Sequence, residues 1–158
     1  EVESRYKAVC ETFFEMITPL FASIKTHRIH GDCHLGNLLF ESTTSSGFGE
    51  GKTFFLDFDD MMVGPAVQDI WLATPTEDLR SLFLEGYQEM KPFDLSTVQL
   101  ITPLRFLRIV HYSAWVARRF EDPYFKRVFT EFRSYNYWAQ EVEALEQMSK
   151  SFLRPHSI

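Results

Sequence analysis

The chain has 158 residues, 45% of them hydrophobic, 24% charged and 16% aromatic, with a formal net charge of −6. That length and polarity suit one globular domain that needs neither disulfide nor metal to hold its core, which excludes collagen-like, low-complexity and disordered classes. No run of about eighteen residues is free of charge, so a helical membrane span is excluded, and the net acidity argues against general nucleic-acid binding. In chain order, Val9, Cys10, Phe13, Phe14, Ile17, Leu20, Phe21 and Ile24 recur at three- and four-residue steps and predict helix over the first 25 residues. Pro19 either kinks that helix or opens a second one with Thr18 as N-cap. Two apolar runs, Asn37 to Phe40 and Thr53 to Phe58, predict a β-hairpin closed by the Ser-, Thr- and Gly-rich stretch Glu41 to Lys52. From Pro65 onward the pattern is helical, with short amphipathic pieces around Val67–Trp71 and Leu79–Tyr87, a long segment over residues 95–121, and a last helix from Tyr135 to Lys150. The long segment is apolar on most sides, which predicts central burial, with His111 and Trp115 as core residues. The expected class is α+β, mostly α: a helical bundle around one small hairpin, without repeats or an internal linker.

Sixteen phenylalanines point to a core rich in large flat side chains. Residues 1–100 hold seven basic and sixteen acidic side chains, and residues 101–158 hold nine and six, with Arg105, Arg108, Arg118 and Arg119 in the basic excess. Such a cluster could bind a phosphorylated or acidic partner, with Arg105 and Arg108 lining a substrate groove, but solvated helix faces and internal ion pairs are its commoner uses. Glu1 to Lys7 lack the basic-then-apolar layout of a signal peptide, and Cys10 and Cys33 make no disulfide framework. Reduced thiols and a cytoplasmic address are the expectation.

The chemistry concentrates in two short segments. His27-Arg28-Ile29-His30-Gly31-Asp32-Cys33-His34-Leu35-Gly36-Asn37 gathers three histidines, an aspartate, a cysteine and an asparagine, and Asp57-Phe58-Asp59-Asp60 begins twenty residues after Asn37. Hairpin closure would bring Asn37 and Asp57 to the same open end. An amide oxygen beside a carboxylate suits magnesium, which keeps waters and bridges phosphates. Asp32 stands five residues before Asn37, the spacing of a kinase catalytic loop, where the aspartate accepts the proton of an attacking hydroxyl and the asparagine binds metal. Asp57 is then the second metal ligand.

HGDCHLGN followed by LDFDD resembles the aminoglycoside phosphotransferase-like branch of the protein-kinase fold. The segments MMVGPAVQDIW, PLRFLRIVHYSAWVARRFEDP and YWAQEV narrow the likeness to a bacterial serine/threonine protein kinase of that branch with a role in stress response. The resemblance implies Asp32 as proton acceptor, Asn37 and Asp57 as magnesium ligands, and His30 as a brace of the loop. It also implies that Asp69 is a buried carboxylate accepting hydrogen bonds from the loop backbone. His34 and Asp59, beside these residues in sequence, are candidates for a supporting role. ATP is the implied donor and a protein serine or threonine the implied acceptor. Gly31 replaces the arginine of the usual His-Arg-Asp, no Ala-Pro-Glu sequence follows Asp57, and Asp59 replaces the glycine of Asp-Phe-Gly. Control by activation-loop phosphorylation is therefore not expected. A Gly-rich turn and a strand lysine to cover the nucleotide are absent before Asp32, so residues 1–158 read as the C-terminal, catalytic lobe of a longer protein, inactive by itself.

Other readings compete. The acceptor could be a small molecule of aminoglycoside, choline or homoserine type, or the chain could be a non-catalytic binding module. His27, His30, Cys33 and His34 have spacings that suit zinc. Asp57-Phe58-Asp59 imitates the first motif of haloacid-dehalogenase-type phosphatases, which would need further strand–helix units where only helices follow. Ser46 to Thr53 ends like a phosphate-binding loop but begins on serine and runs into a strand. Asp59 and Asp60 either shape the turn or touch a second metal.

Overall fold

The computed structural model describes residues 1–41 and 51–153. The Gly-Lys-Thr imitation that begins at Ser46, and most of the loop expected over Glu41 to Lys52, lie outside the described residues. By their internal contacts the residues form two compact units, one of residues 24–101 and one of residues 1–23 with 102–158.

The second of these is helical. Helix α1 (Val2–Ile17) buries Cys10, Phe13 and Ile17, one face of a 3.6-residue period. It stops before Pro19, and Thr18–Phe21 continues as a 3-10 turn whose first residue is Thr18. Thr18 is thus inside the turn and not its cap: its hydroxyl donates to the Phe14 carbonyl at 2.6 Å. Helices α4 (Ile101–Arg119), α5 (Pro123–Val128) and α6 (Tyr135–Leu153) complete the unit. Phe13 stacks on Phe106 with ring centroids 4.0 Å apart, and Cys10, Ile17 and Leu145 close that core. A second cluster joins Val116, Phe120 and Phe132 to Trp115, Phe125, Phe129, Tyr137 and Trp138. Arg5 reaches Glu146 by two bonds of 2.9 and 3.0 Å, tying α1 to α6. Asp122 accepts from the Tyr124 N–H at 2.7 Å and Pro123 follows it, so α5 starts on a cap and a proline.

The expectation that α4 is buried throughout is corrected by its second half. Ser113 and Val116 point inward, His111 lies nearly opposite them on the helical wheel and is exposed, and Trp115 is half-buried with the Arg119 guanidinium 4.6 Å above its ring. The apolar count of the segment hid an ordinary two-faced helix. No helix of the described residues is long and apolar enough to cross a membrane.

Residues 24–101 carry two antiparallel two-stranded sheets in place of the single hairpin expected. Strands β2 (Leu38–Phe40) and β3 (Thr53–Phe55) form the anticipated hairpin, with Leu38 opposite Phe55 and Phe40 opposite Thr53. Strands β1 (His27–Ile29) and β4 (Met62–Gly64) form the other, with Arg28 opposite Val63. Helix α2 (Val67–Ala73) follows, burying Val67, Ile70, Leu72 and Ala73, and then α3 (Glu77–Met90), whose N-cap Thr76 accepts from the Leu79 N–H at 3.3 Å. The fold is α+β and mostly α, as the sequence pattern implies.

Candidate active site

The β1–β4 and β2–β3 pairs bracket the two segments that the sequence singles out, His30 to Asn37 and Asp57 to Asp60. Gly31 follows β1 with φ of +87°, and a Cβ there would lie 2.2 Å from the Asp60 carbonyl oxygen. Only glycine meets both demands, a left-handed backbone and close approach to another chain segment, so the arginine that ordinary protein kinases carry here has no room. Asp69, in the first turn of α2, holds the same loop from the other side. Its Oδ2 accepts from the His30 N–H at 2.7 Å and its Oδ1 from the Gly31 N–H at 2.9 Å. Asp69 is half-buried, not fully buried. Gln68 adds a contact that sequence reasoning missed, donating from Nε2 to the Gly31 carbonyl at 3.3 Å.

His30 is buried and joins both segments. Its Nε2–H donates to the Leu56 carbonyl at 2.8 Å, and its Nδ1 accepts a long bond from the Asp32 N–H at 3.4 Å, a pair of roles that one neutral tautomer satisfies. The ring also lies against Phe58, with centroids 4.9 Å apart. Asn37 Nδ2 donates to the Asp32 carbonyl at 2.9 Å, which closes the loop between the two residues and leaves the amide oxygen as the polar atom available to a cation. On the backbone, the Leu56 N–H donates to the Asn37 carbonyl at 2.9 Å, so Asp57 follows directly on a residue paired with Asn37.

Asp57 is the one non-glycine residue with positive φ among those described, at φ 59° and ψ 71°. The left-handed region is sparsely populated by non-glycine residues, and such backbone is retained where the surroundings impose it, often at functional sites. Asp57, Asp59 and Asp60 are all exposed. His34 caps the Leu35–Asn37 turn: its Nδ1 accepts from the Gly36 N–H at 3.0 Å, which leaves the proton on Nε2, 3.5 Å from the Asp32 carboxylate. His34 therefore flanks Asp32 directly.

Two of the four residues proposed for zinc spend ring nitrogens within the loop. Both ring nitrogens of His30 are engaged within the loop, and His34 Nδ1 is spent on Gly36. Burial, reinforced by the nearby Asp69 and Asp32 charges, pushes the Cys33 thiol up to about 11. Among the described residues no three His, Cys, Asp or Glu side chains cluster to hold a metal ion. The Asn37 amide oxygen and the Asp57 carboxylate are hard oxygen donors, the kind that magnesium takes together with water and phosphate.

The model of the phosphotransferase enzyme family matches residues 5–101. Stress response kinase A of Escherichia coli (strain K12) is 32% identical over 157 residues, covering 90% of this chain and 45% of its own length. Stress response kinase A of Salmonella typhi is 35% identical over 135 residues, and serine/threonine protein kinase RdoA of Salmonella typhimurium is 35% identical over 136, each match covering 82% of this chain and 38% of the relative. The chain thus spans less than half the length of these curated relatives. The narrower likeness read from the helical segments, to a bacterial stress-response kinase, is borne out by these matches. With the family's model spanning well over half of its residues, the chain belongs to the phosphotransferase enzyme family.

Proposed function

We propose that this chain is the C-terminal, catalytic lobe of an ATP- and magnesium-dependent phosphotransferase of the cytoplasm that acts on a serine or threonine hydroxyl of a protein in a stress response. In this reading Asp32 accepts the proton of the attacking hydroxyl, and Asn37 Oδ1 and the Asp57 carboxylate hold magnesium. The ion supplies neutralisation of phosphate charge when bound. His30 and Asp69 hold the loop backbone so that Asp32 and Asn37 keep their spacing, and His34 and Asp59 flank them. The glycine-rich turn and lysine that cover the nucleotide belong, in this reading, to further residues of a longer protein.

The observation that best supports the reading is the bond from Asn37 Nδ2 to the Asp32 carbonyl, which links the proton acceptor to the metal ligand through one rigid turn. Relatives named stress response kinase and serine/threonine protein kinase favour a protein over a small molecule as acceptor. Transfer from labelled ATP in the longer protein that carries this chain tests it. Asp32→Ala is expected to lower transfer about 10²–10⁴-fold while the protein stays folded. Undiminished transfer would remove Asp32 from the role, and label on a small hydroxylated compound in place of protein would redirect the acceptor. Residues 1–158 by themselves are expected to transfer nothing.

A further inference from the structure

Residues 24–101 form an open apolar pocket that the proposed phosphate transfer does not draw on. It measures about 650 Å3 and lies behind the catalytic loop, between the β2–β3 hairpin and helices α2 and α3, with Leu38, Phe55, Ile70, Leu79 and Phe83 among its walls. A second cavity of about 270 Å3 shares the walls His27, Ala66 and Tyr87 with the first, and is lined beyond them by Lys25, Lys91 and Asp94. One compartment is therefore greasy, its neighbour is charged, and three residues border both.

The balance of charge around the pair is positive. Among the described residues neither Arg28, on the wall of the first cavity, nor Lys91, on the wall of the second, forms an ion pair. Asp94 lies within electrostatic reach of Lys25, but one of its carboxylate oxygens already accepts from the Ser96 N–H at 3.0 Å and from the Ser96 hydroxyl at 2.6 Å. Asp69 borders the first cavity with both oxygens held by the His30 and Gly31 N–H groups. Cations are left with unused capacity at the edge of an apolar space of the size that takes a small organic ligand.

We propose that the two cavities together bind a small amphiphilic carboxylate. Its aliphatic or aromatic body packs against Leu38, Phe55, Leu79 and Phe83, and its carboxylate lies between Lys25 and Lys91. Burial of the body drives binding, and the charge-assisted contacts select the sign of the head group. Cys33 and Asp69 belong to the same walls, so the occupant touches the back of the loop that carries Asp32.

Calorimetric titration of dodecanoate, kept below its micellar concentration, into the longer protein that carries this chain tests the site, with dodecyltrimethylammonium as the probe of opposite sign. One saturable site for the carboxylate is expected and none for the ammonium. Lys25→Glu and Lys91→Glu, both at exposed positions, are each expected to weaken binding about ten-fold with an unchanged melting temperature. Leu79→Asp, in the cavity wall, is expected to weaken it at least as much. Equal binding of the two probes, or unaltered affinity in both lysine variants, would reduce the site to an apolar surface and overturn the proposal. No saturable binding to protein that melts cooperatively would also overturn it, and would mean that another part of the longer chain fills the cavity. The readout is binding alone, so failure here leaves the phosphotransfer reading untouched.

Discussion

The helical unit and the unit of residues 24–101 hold their shapes by different means. In the first, rings stack on rings: Phe13 is fully buried against Phe106, and Val116, Val142 and Leu145 are equally sealed. In the second, large apolar side chains stand in the open, with Phe40 exposed to 68% and Val63 to 72%. It too buries Ile29, Val67, Ile70 and Leu100, but the loop that carries Asp32 is ordered by few specific bonds, Asp69 to two loop N–H groups, His30 to Leu56, Asn37 to Asp32, and by two residues in left-handed backbone nearby. Dispersion and burial tolerate a change of detail that keeps volume, whereas a hydrogen-bonded loop with imposed backbone does not. Chemistry that depends on positioning belongs on the second kind of construction.

Three substitutions probe that contrast. Phe13→Ala should cost the most stability, about 3–5 kcal/mol, because it opens a cavity among sealed rings. Urea unfolding measures it, and a loss under about 1 kcal/mol would show that the helical unit does not rest on this stack. Gly31→Ala should come next. The left-handed backbone alone costs a β-carbon about 1–2 kcal/mol, and the Asp60 carbonyl stands where that carbon would go, so the loop must shift as well. Thermal melting should fall and phosphate transfer should fall with it; a neutral outcome would mean that the loop has room that the contrast denies it. Asp57→Gly should leave stability within about 0.5 kcal/mol, since relief of the left-handed strain offsets the entropy lost with glycine. It still removes the carboxylate read as a metal ligand, so transfer should collapse in a protein that melts normally. A stability loss above about 1 kcal/mol would make Asp57 a structural residue.

Legibility in the sequence divides along the same line. Phe13, Ile17 and Leu145 follow helical period and could be assigned inward from pattern alone, as could the β2–β3 hairpin from its two apolar runs. His111 could not, because counting apolar neighbours along α4 does not say which arc of the helix a partner covers. The β1–β4 pair was invisible for a related reason: three-residue strands separated by more than thirty residues carry no periodic signal, and only contact between them makes them strands. Gln68 left no trace either, since a glutamine on an amphipathic helix reads as surface until the Gly31 carbonyl is seen beside it.

At 158 residues, with charge spread along its length and Asp32, Asn37 and Asp57 set at kinase-like intervals, the sequence by itself determined the class of fold, the family and the residues worth watching. Those are properties of local spacing and residue type, which a linear chain displays. The tertiary structure alone decided why position 31 is glycine, that Asp57 sits in left-handed backbone, which arc of α4 is buried, and that an apolar pocket lies beside the loop that carries Asp32. Each of these depends on what a distant segment places within a few ångströms, and that is settled only when the chain closes on itself.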